Sequence, residues 1–394
     1  MNIQNRFHTI IIGAGASGLM CARSAGQRGK RILVLDHEEK VGKKILISGG
    51  GKCNFTNLNI EAGNYLSQNS HFCKSALSRF SPYDFIFLLD KYEIPYSEKE
   101  AGQLFCKKNS ADVLKILLSE CESANVKIFT NCLVEKIEKR KEFIVTTNLG
   151  IFYSQSIVIA TGGLSLPEIG ATGFGYDVAK QFGLNINAPK PGLVPLKLSE
   201  DDFKKFSELS GVSADVCVSC NGHSFTGSLL ITHNGLSGPV ILQISNYWKI
   251  GDEIIIDFLP NYDLKNEIGK WQKENPKATL SNRIGTVISK RLAKQLLSTF
   301  CWNKPVDQYN QGEIENIADK FHKWRILPSG TAGYKKAEVT RGGVDTNELS
   351  SKTFECKKIA GLYFIGEVLD VTGWLGGYNL HWAWASGYCA GQFV

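Results

Sequence analysis

A glycine-rich segment near the start of the chain has the residue types and spacing of a dinucleotide-binding loop. Gly13, Gly15 and Gly18 form G-x-G-x-x-G, directly after a strand-like run at residues 9–12 and directly before a helical run. The first glycine permits a tight turn, the second lets the backbone approach a pyrophosphate, and the third lets the helix pack against the strand. Asp36 ends the next strand and can accept hydrogen bonds from an adenosine ribose. The pattern therefore predicts a dinucleotide at this helix N-terminus.

A second motif, near the end of the chain, favours FAD over a nicotinamide dinucleotide alone. The run 362–365 is strand-like and ends in Gly366 and Glu367, and a glycine loop at 373–377 leads into a helical run. A carboxylate at that point can hold ribityl hydroxyls, and a helix N-terminus can stabilise negative charge at the pyrimidine edge of reduced flavin. We therefore predict that one FAD contacts both ends of the chain. An NAD-dependent dehydrogenase is the alternative.

A third glycine-rich segment lies between these two motifs. Residues 48–57 contain three consecutive glycines, a backbone that can pass close to a flat or anionic ligand. Lys43, Lys44 and Lys52 could offset the charge of the pyrophosphate or of the N1 side of reduced flavin, and a solvated basic turn is the alternative. Cys53 has no partner cysteine at the spacing of a redox disulfide, so packing is favoured over a redox role.

Composition indicates a folded globular protein without a metal or membrane segment. The 394 residues carry 45 lysines and arginines against 38 aspartates and glutamates, and this net charge of +7 is too dispersed to favour nucleic acid as a partner. The 11 cysteines are odd in number and irregularly spaced, which predicts a reduced, cytoplasmic setting. Cys217 and Cys220 form a CxxC on a strand-like run that separates their sulfurs, so no metal is predicted. Met1–Phe7 show no signal peptide, and no apolar run reaches the roughly 18 residues of a membrane span.

The order of elements predicts an α/β fold with an inserted unit. Strand, helix and strand at residues 9–36 form a βαβ unit, whose continuous apolar strands indicate a parallel sheet covered on both faces. Prolines and strand-like runs follow from about residue 189, and the chain then becomes polar and helical in pattern. We expect a discontinuous domain of residues 1–190 and 335–394, interrupted by an insert at 191–334 that is strand-rich to 260 and mainly helical from 261.

Four segments resemble the BaiN-like (YhiN-like) FAD-binding proteins, also described as aminoacetone-oxidase-type flavoproteins. These segments are residues 41–57, with the SGGGKCN run, and residues 170–173, 232–239 and 366–370. The resemblance covers essentially the whole chain. It implies a Rossmann-like, glutathione-reductase-like FAD domain built from both termini, with an inserted small antiparallel β-barrel and a helical segment.

The motifs and the resemblance together define a set of candidate FAD contacts. They are Gly13, Gly15, Ala16, Ser17, Gly18, Asp36, His37, Lys43, Lys44, Gly50, Gly51, Cys53, Asn54, Val134, Thr161, Gly162, Gly163, Gly366, Glu367, Asp370, Gly376, Gly377, Tyr378 and Asn379. Relatives often carry aspartate where this chain has Phe174 and glutamine where it has His381.

The predicted function is that of an FAD-dependent oxidoreductase acting on a small molecule. Hydride would pass through flavin N5, from NAD(P)H or a small organic substrate to an enone, an amine-derived acceptor or oxygen. His233 and Tyr378 are the candidate proton donors; a capping turn is the alternative role for His233, and orientation of the flavin for Tyr378. Residues 170–175 have the dinucleotide spacing reversed, so any nicotinamide would visit only transiently. The other hypothesis is a non-catalytic flavin-binding module associated with RNA or a protein partner.

Overall fold

Short apolar runs alternate with helical runs along the chain, and the computed structural model describes them for residues 5–394, apart from the side chains of residues 205 and 207. The expectation about Met1–Phe7 therefore falls partly outside the described residues. The strands are β1 (Arg6–Ile12), β2 (Ile32–Leu35), β3 (Asn54–Asn57), β4 (Tyr65–Leu66), β5 (Tyr96–Glu98), β6 (Gln103–Cys106), β7 (Lys127–Phe129), β8 (Val134–Lys139), β9 (Phe143–Thr147), β10 (Gly150–Ile159), β11 (Ile186–Gly192), β12 (Leu196–Lys197), β13 (Ser213–Cys220), β14 (His223–Thr232), β15 (Gly235–Ser237), β16 (Ile254–Asp257), β17 (Trp324–Ile326), β18 (Gly330–Thr331), β19 (Val339–Val344), β20 (Leu362–Phe364) and β21 (Thr372–Gly373).

The helices connect these strands and cover the sheets. They are α1 (Ala16–Gly26), α2 (Lys43–Gly51), α3 (Lys74–Arg79), α4 (Pro82–Lys91), α5 (Ala111–Ser123), α6 (Phe174–Gln181), α7 (Glu200–Phe206), α8 (Pro239–Ser245), α9 (Leu264–Glu274), α10 (Leu280–Ile284), α11 (Lys290–Phe300), α12 (Gln311–His322) and α13 (Tyr378–Gly391). Among the described residues, no helix is both long and apolar enough to cross a lipid bilayer.

The chain divides into two units, each with its own hydrophobic core. The first unit is Met1–Pro191 with Glu338–Val394, and the second is Gly192–Ala337. Both ends of the chain thus contribute to the first unit, and the second unit is continuous in sequence.

A parallel sheet forms the centre of the first unit. Its strand order is β7-β2-β1-β10, with β20 parallel to β10 on the far side of β1, and β9 and β8 added as antiparallel strands. Ile11 lies opposite Val34 on one side and Val158 on the other, and all three are fully buried. Burial on both faces explains why these strands are uniformly apolar rather than alternating. The predicted α/β class is confirmed.

The first and last helices pack directly on one another. A Cβ added at Gly391 of α13 would lie 2.5 Å from Cβ of Ser24 in α1, so the two backbones approach closely. The Ser24 hydroxyl donates to the carbonyl O of Tyr388 (3.0 Å), and Arg28 Nη1 donates to the carbonyl O of Gly391 (3.0 Å). These contacts hold the end of the chain against its beginning.

The second unit is an antiparallel sheet covered by helices. Its strand order is β17-β16-β13-β14-β15-β12-β18. The two edge strands, β17 and β18, belong to the segment predicted to be mainly helical. They form because they pair with β16 and β12 of the earlier, strand-rich segment. Residues 290–300 are the clearest amphipathic stretch of the segment predicted to be helical; helix α11 has these bounds and buries Leu292, Ala293, Leu296 and Leu297.

The third glycine-rich segment of the sequence begins inside a helix. Residues 43–51 form α2, which contains Lys43, Lys44 and the three consecutive glycines. The helix loses regular geometry at Ser48, which is extended, and at Gly49 and Gly50, which have φ of 57° and 66°. The run of glycines therefore ends the helix with a left-handed turn, which residues with a Cβ rarely adopt.

Candidate functional site

The glycine loop after β1 has the shape that a pyrophosphate requires. Gly13 has φ of 106°, and a Cβ there would lie 2.5 Å from the carbonyl O of Ala160. A Cβ at Gly18 would overlap the carbonyl O of Gly13, whereas a Cβ at Gly15 would meet no atom within 4 Å. Packing thus explains the first and third glycines. The second borders open space at the N-terminus of α1, where a phosphate can approach the backbone N–H groups.

Asp36 supports this loop from the end of the neighbouring strand. Its Oδ2 accepts a hydrogen bond from the backbone N of Ala14 (2.7 Å), and its Oδ1 accepts one from the N of Glu38 (2.9 Å). A carboxylate has about four acceptor positions, so capacity remains for ribose hydroxyls. The backbone N of Cys132 donates to the carbonyl O of Asp36 (2.8 Å). Val134, at the start of β8, follows two residues after this contact.

His37 and Lys43 both lie close to the side chain of Glu38. Lys43 Nζ donates to the Glu38 carboxylate (2.5 Å), and His37 Nε2 lies 3.6 Å from it. The hydrogen bond from Lys43 lowers the pKa of Glu38. A Cβ at Gly170 would overlap the Glu38 side chain, so the 170–173 turn passes directly against this carboxylate. Sequence reasoning missed Glu38, although it follows the predicted Asp36 and His37 directly.

The strand β20 brings the end of the chain to the same edge of the sheet. Gly366 has φ of 75°, and a Cβ there would lie 2.5 Å from Oγ of Ser17 in the first turn of α1. The backbone N of Gly366 donates a hydrogen bond to the Ser386 hydroxyl of α13 (3.1 Å). The carboxyl ends of β1, β10 and β20 therefore meet, as parallel neighbours must. Ala16, whose N–H lies in this first turn, stands beside Ser17.

Glu367 is held in a network that joins three separate segments. Lys44 Nζ donates to Glu367 Oε2 (2.7 Å) and to the Ser165 hydroxyl (2.6 Å). The Ser165 hydroxyl and the backbone N of Thr340 donate to Glu367 Oε1, at 3.0 and 2.8 Å. Three hydrogen bonds thus occupy most of the acceptor positions of the Glu367 carboxylate. Lys44 lies against Glu367, and sequence reasoning missed both Ser165 and Thr340.

The turn after β10 packs against this network. Gly162 has φ of 72°, and a Cβ at Gly163 would lie 2.5 Å from Cβ of Thr340 and 3.0 Å from Glu367 Oε1. The Thr340 hydroxyl accepts hydrogen bonds from the backbone N of Leu164 and of Ser165. The predicted Thr161–Gly163 turn and Glu367 are therefore neighbours.

The glycine run of α2 leaves open space beside the loop. Cβ atoms at Gly50 and Gly51 would meet nothing within 4 Å, whereas a Cβ at Gly49 would lie 2.7 Å from the backbone N of Asn54. Cys53 is fully buried, and burial raises the pKa of its thiol to about 12. Its side chain is thus a packing group, as its isolated position predicts. The Asn54 side chain lies 3.0 Å from Gln103 Oε1.

The N-terminus of α13 is anchored to strand β3 and to the preceding loop. Cβ atoms at Gly376 and Gly377 would collide with Gln103 and with the carbonyl group of Thr56, respectively. The Asn379 amide donates to the carbonyl O atoms of Gly373 (3.0 Å) and Trp374 (3.1 Å). Asn379 therefore shapes the 373–377 loop.

Two further predicted contacts are enclosed by protein. The hydroxyl of Tyr378 lies 3.5 Å from the carbonyl O of Asn59, and burial raises its pKa. Asp370 Oδ2 accepts hydrogen bonds from the backbone N of Gln68 (2.9 Å) and from Asn187 Nδ2 (2.8 Å), and burial raises its pKa. These partners indicate a role in holding segments together. His381, one turn further along α13, is also buried: its Nε2 donates to the carbonyl O of Phe80 (3.0 Å), and its Nδ1 accepts from the Thr56 hydroxyl (2.8 Å).

His233 belongs to the second unit. It lies exposed in the turn between β14 and β15, where the Thr232 hydroxyl donates to the carbonyl O of Gly235 (3.1 Å). Among the described residues, no group of three or more histidines, cysteines, aspartates and glutamates is arranged to hold a metal ion.

The chain is similar to one family and to several characterised proteins. The family model described as "HI0933-like protein Rossmann domain" matches residues 7–393. The "Ribosomal RNA dihydrouridine synthase" of Escherichia coli (strain K12) is 46% identical over 390 residues, which cover 98% of each chain. The "3-dehydro-bile acid delta(4,6)-reductase" of Clostridium scindens is 30% identical over 402 residues, covering 97% of each. Mycobacterium smegmatis Sdh1 in complex with UQ1 is 14% identical, with a TM-score of 0.50 over 98% of this chain and 68% of that one, a likeness of fold alone.

Proposed function

Because this chain belongs to the HI0933-like Rossmann-domain family, which includes the BaiN-like FAD flavoproteins, we propose that it reduces a carbon–carbon double bond conjugated to a carbonyl, with uridine in ribosomal RNA as the substrate. Membership confirms the resemblance, the FAD cofactor and the oxidoreductase class predicted from the sequence. The electron donor, the substrate and the roles of individual residues are part of the proposal.

The observation that carries the proposal is the meeting of both chain ends at one edge of the parallel sheet. Gly15 borders open space at the N-terminus of α1, and Gly366 lies against that same first turn. A long dinucleotide fits this arrangement, with its pyrophosphate at the glycine loop and its ring system toward the segment after β20. Open space at Gly15, Gly50 and Gly51 is consistent with FAD in the site.

The chain's own residues position the cofactor in this proposal. Asp36 accepts hydrogen bonds from the adenosine ribose, and the first turn of α1 donates backbone N–H groups to the pyrophosphate. Lys44 and Glu367, already paired with each other, fix the spacing between α2 and the end of β20. When bound and reduced, FAD supplies hydride from its N5.

Two relatives support the type of bond that is reduced. Dihydrouridine is uridine whose C5=C6 bond is saturated, and that bond is conjugated to the C4 carbonyl. The name of the Clostridium scindens relative likewise specifies reduction of double bonds in a 3-oxo compound. In the proposed reaction, C6 of uridine, the β-carbon, receives hydride, and C5, the α-carbon, receives a proton. We propose NADH or NADPH as the electron donor.

Ribosomal RNA is favoured as the substrate because the relative with that name is 46% identical across nearly the whole chain, against 30% for the bile-acid reductase. This choice departs from our sequence-based expectation, which disfavoured nucleic acid on charge alone. The net charge of +7 is at least compatible with a polyanion.

The test uses the purified protein and unmodified ribosomal RNA transcripts. The flavin is reduced anaerobically with NADH or NADPH, the RNA is added, and the digested nucleosides are analysed by mass spectrometry. We expect a product two hydrogens heavier than uridine at a defined position. Reduced flavin that is reoxidised by a small cyclic enone but leaves every uridine unchanged would overturn RNA as the substrate and favour the second candidate, a small-molecule enone reductase.

A further inference from the structure

Positive charge in the second unit is concentrated in one stretch of sequence. Residues 275–306 contain six lysines and arginines and no aspartate or glutamate. The whole chain has a net charge of +7, so this stretch differs sharply from the mixed charge around it. A stretch of this kind can attract a polyanion if its cations lack acidic partners in the fold.

Ion pairs neutralise half of these cations. Acidic residues outside the stretch pair with three of them: Lys277 with Asp307 (3.0 Å), Arg283 with Glu274 (3.6 Å) and Lys304 with Glu313 (2.8 Å). Arg291 donates to the carbonyl O of Glu208. Within the described part of the chain, Lys290 and Lys294 form no ion pair.

Helix α11 displays these two lysines together. Its apolar residues, which include Leu292 and Leu296, face the core, and Lys290 and Lys294 are exposed. Residues four apart lie on the same side of a helix, separated by about 6 Å along its axis. Lys270 and Lys323, which are also exposed in this unit, instead pair with acidic residues, Glu267 (2.6 Å) and Asp319 (2.8 Å).

An exposed tryptophan follows the same helix. Trp302 lies two residues after α11 and is 90% exposed, whereas large aromatic side chains usually bury most of their surface. Its backbone is held in place, because the Tyr309 hydroxyl donates to its carbonyl O (2.6 Å). An exposed aromatic ring that follows a helix bearing unpaired cations is a combination suited to binding single-stranded RNA, through base stacking and phosphate contacts.

We propose that Lys290, Lys294 and Trp302, here called the α11 surface, bind the RNA substrate, an inference that rests on the proposed function. The two ammonium groups contact backbone phosphates, and the indole ring stacks on an unpaired base. The surface thus recognises RNA through its backbone and a splayed base rather than through a base-specific code. It adds a docking site in the second unit to the cofactor site of the first.

The test measures RNA binding across a range of salt concentrations. The probe is a fluorescein-labelled RNA hairpin with a uridine-containing loop, and the readout is fluorescence anisotropy with the FAD-loaded protein. The double variant Lys290→Ala/Lys294→Ala should lower the slope of log K against log salt by about 1.4 to 1.8, the value for two lost phosphate contacts. Trp302→Ala should weaken binding about fivefold or more, and Trp302→Phe should restore part of it.

The matched control is Lys270→Ala/Lys323→Ala, which removes the same charge from paired positions. A control that loses as much slope as the α11 double variant would overturn the proposal, because net charge alone would then explain binding. An unchanged slope in the α11 double variant would also overturn it, and unchanged binding by Trp302→Ala would overturn the stacking contact.

Measuring dihydrouridine in the same samples separates this proposal from the previous one. Product formation by a double variant with normal affinity refutes only the α11 surface. Lysine-dependent RNA binding without any product refutes only the proposed reaction.

Discussion

His381 makes the stability of the first unit dependent on pH, and glutamine at this position should remove that dependence. Both ring nitrogens are engaged: Nε2 donates to Phe80 and Nδ1 accepts from Thr56, so the imidazole is neutral. Burial lowers its pKa from the ordinary 6.5 to about 4. The folded state therefore resists protonation, whereas the unfolded chain takes up a proton below about pH 6.5.

The magnitude follows from the two pKa values. The contribution of neutral His381 to the free energy of unfolding is fully present above the pKa of histidine in the unfolded chain, and it is lost as the pH falls toward 4. At pH 5 the unfolded state gains a factor of about 30 from protonation and the folded state gains almost nothing, which corresponds to about 2 kcal/mol. The loss should reach about 3 kcal/mol below pH 4.

The assay compares urea unfolding of wild type and His381→Gln at pH 7.5 and pH 5. Glutamine can still donate to Phe80 and accept from Thr56, but it does not titrate. Carboxylates elsewhere titrate equally in both proteins, so we expect wild type to lose about 2 kcal/mol more than the variant between the two pH values. Equal losses would refute the reasoning, because His381 would then be able to accept a proton in the folded state.

Three further predictions concern the cofactor site. Gly18→Ala should destabilise the apoprotein by about 1–3 kcal/mol, because its Cβ overlaps Gly13, whereas Gly15→Ala should leave apoprotein stability intact and weaken FAD binding; denaturation and flavin fluorescence titration measure the two effects. Lys44→Met and Glu367→Gln should show a coupling of about 1 kcal/mol in a double-mutant cycle of unfolding, and additive effects would contradict their ion pair. Cys53→Ala should keep the rate of flavin reduction within about twofold of wild type in stopped-flow measurements, since burial keeps the thiol protonated, and a large loss would restore a redox role.

Local rules were enough to predict the dinucleotide loop. At Gly13 the steric demand comes from Ala160, far away in the sequence, whereas at Gly18 it comes from Gly13 of the same motif, so a short segment carries that information. The same holds for α11, whose apolar spacing alone defines its bounds. The strands β1, β2 and β20 were found because burial on both faces requires continuous apolar runs.

Long-range contacts were invisible to the same reasoning. Ser165 and Thr340 meet Glu367 only in the folded chain. Lys44 is likewise more than 100 residues away in sequence from both of its partners, Ser165 and Glu367. Helix α2 was missed because glycine has a low helix propensity, although only its last turn departs from helical geometry. Edge strands β17 and β18 are two or three residues long, too short for a periodic signal.

The packing of α1 against α13 has a consequence for synthesis on the ribosome. The second unit, 146 residues long, is translated between the two parts of the first. At 5–20 residues per second, this delay lasts roughly 7 to 30 s. During that time β10 lacks its neighbour β20, and the face of α1 that carries Ser24 lacks its covering helix. The nascent amino-terminal half therefore emerges with an open sheet edge and an uncovered helix, a state that chaperones recognise, while the inserted unit can fold first.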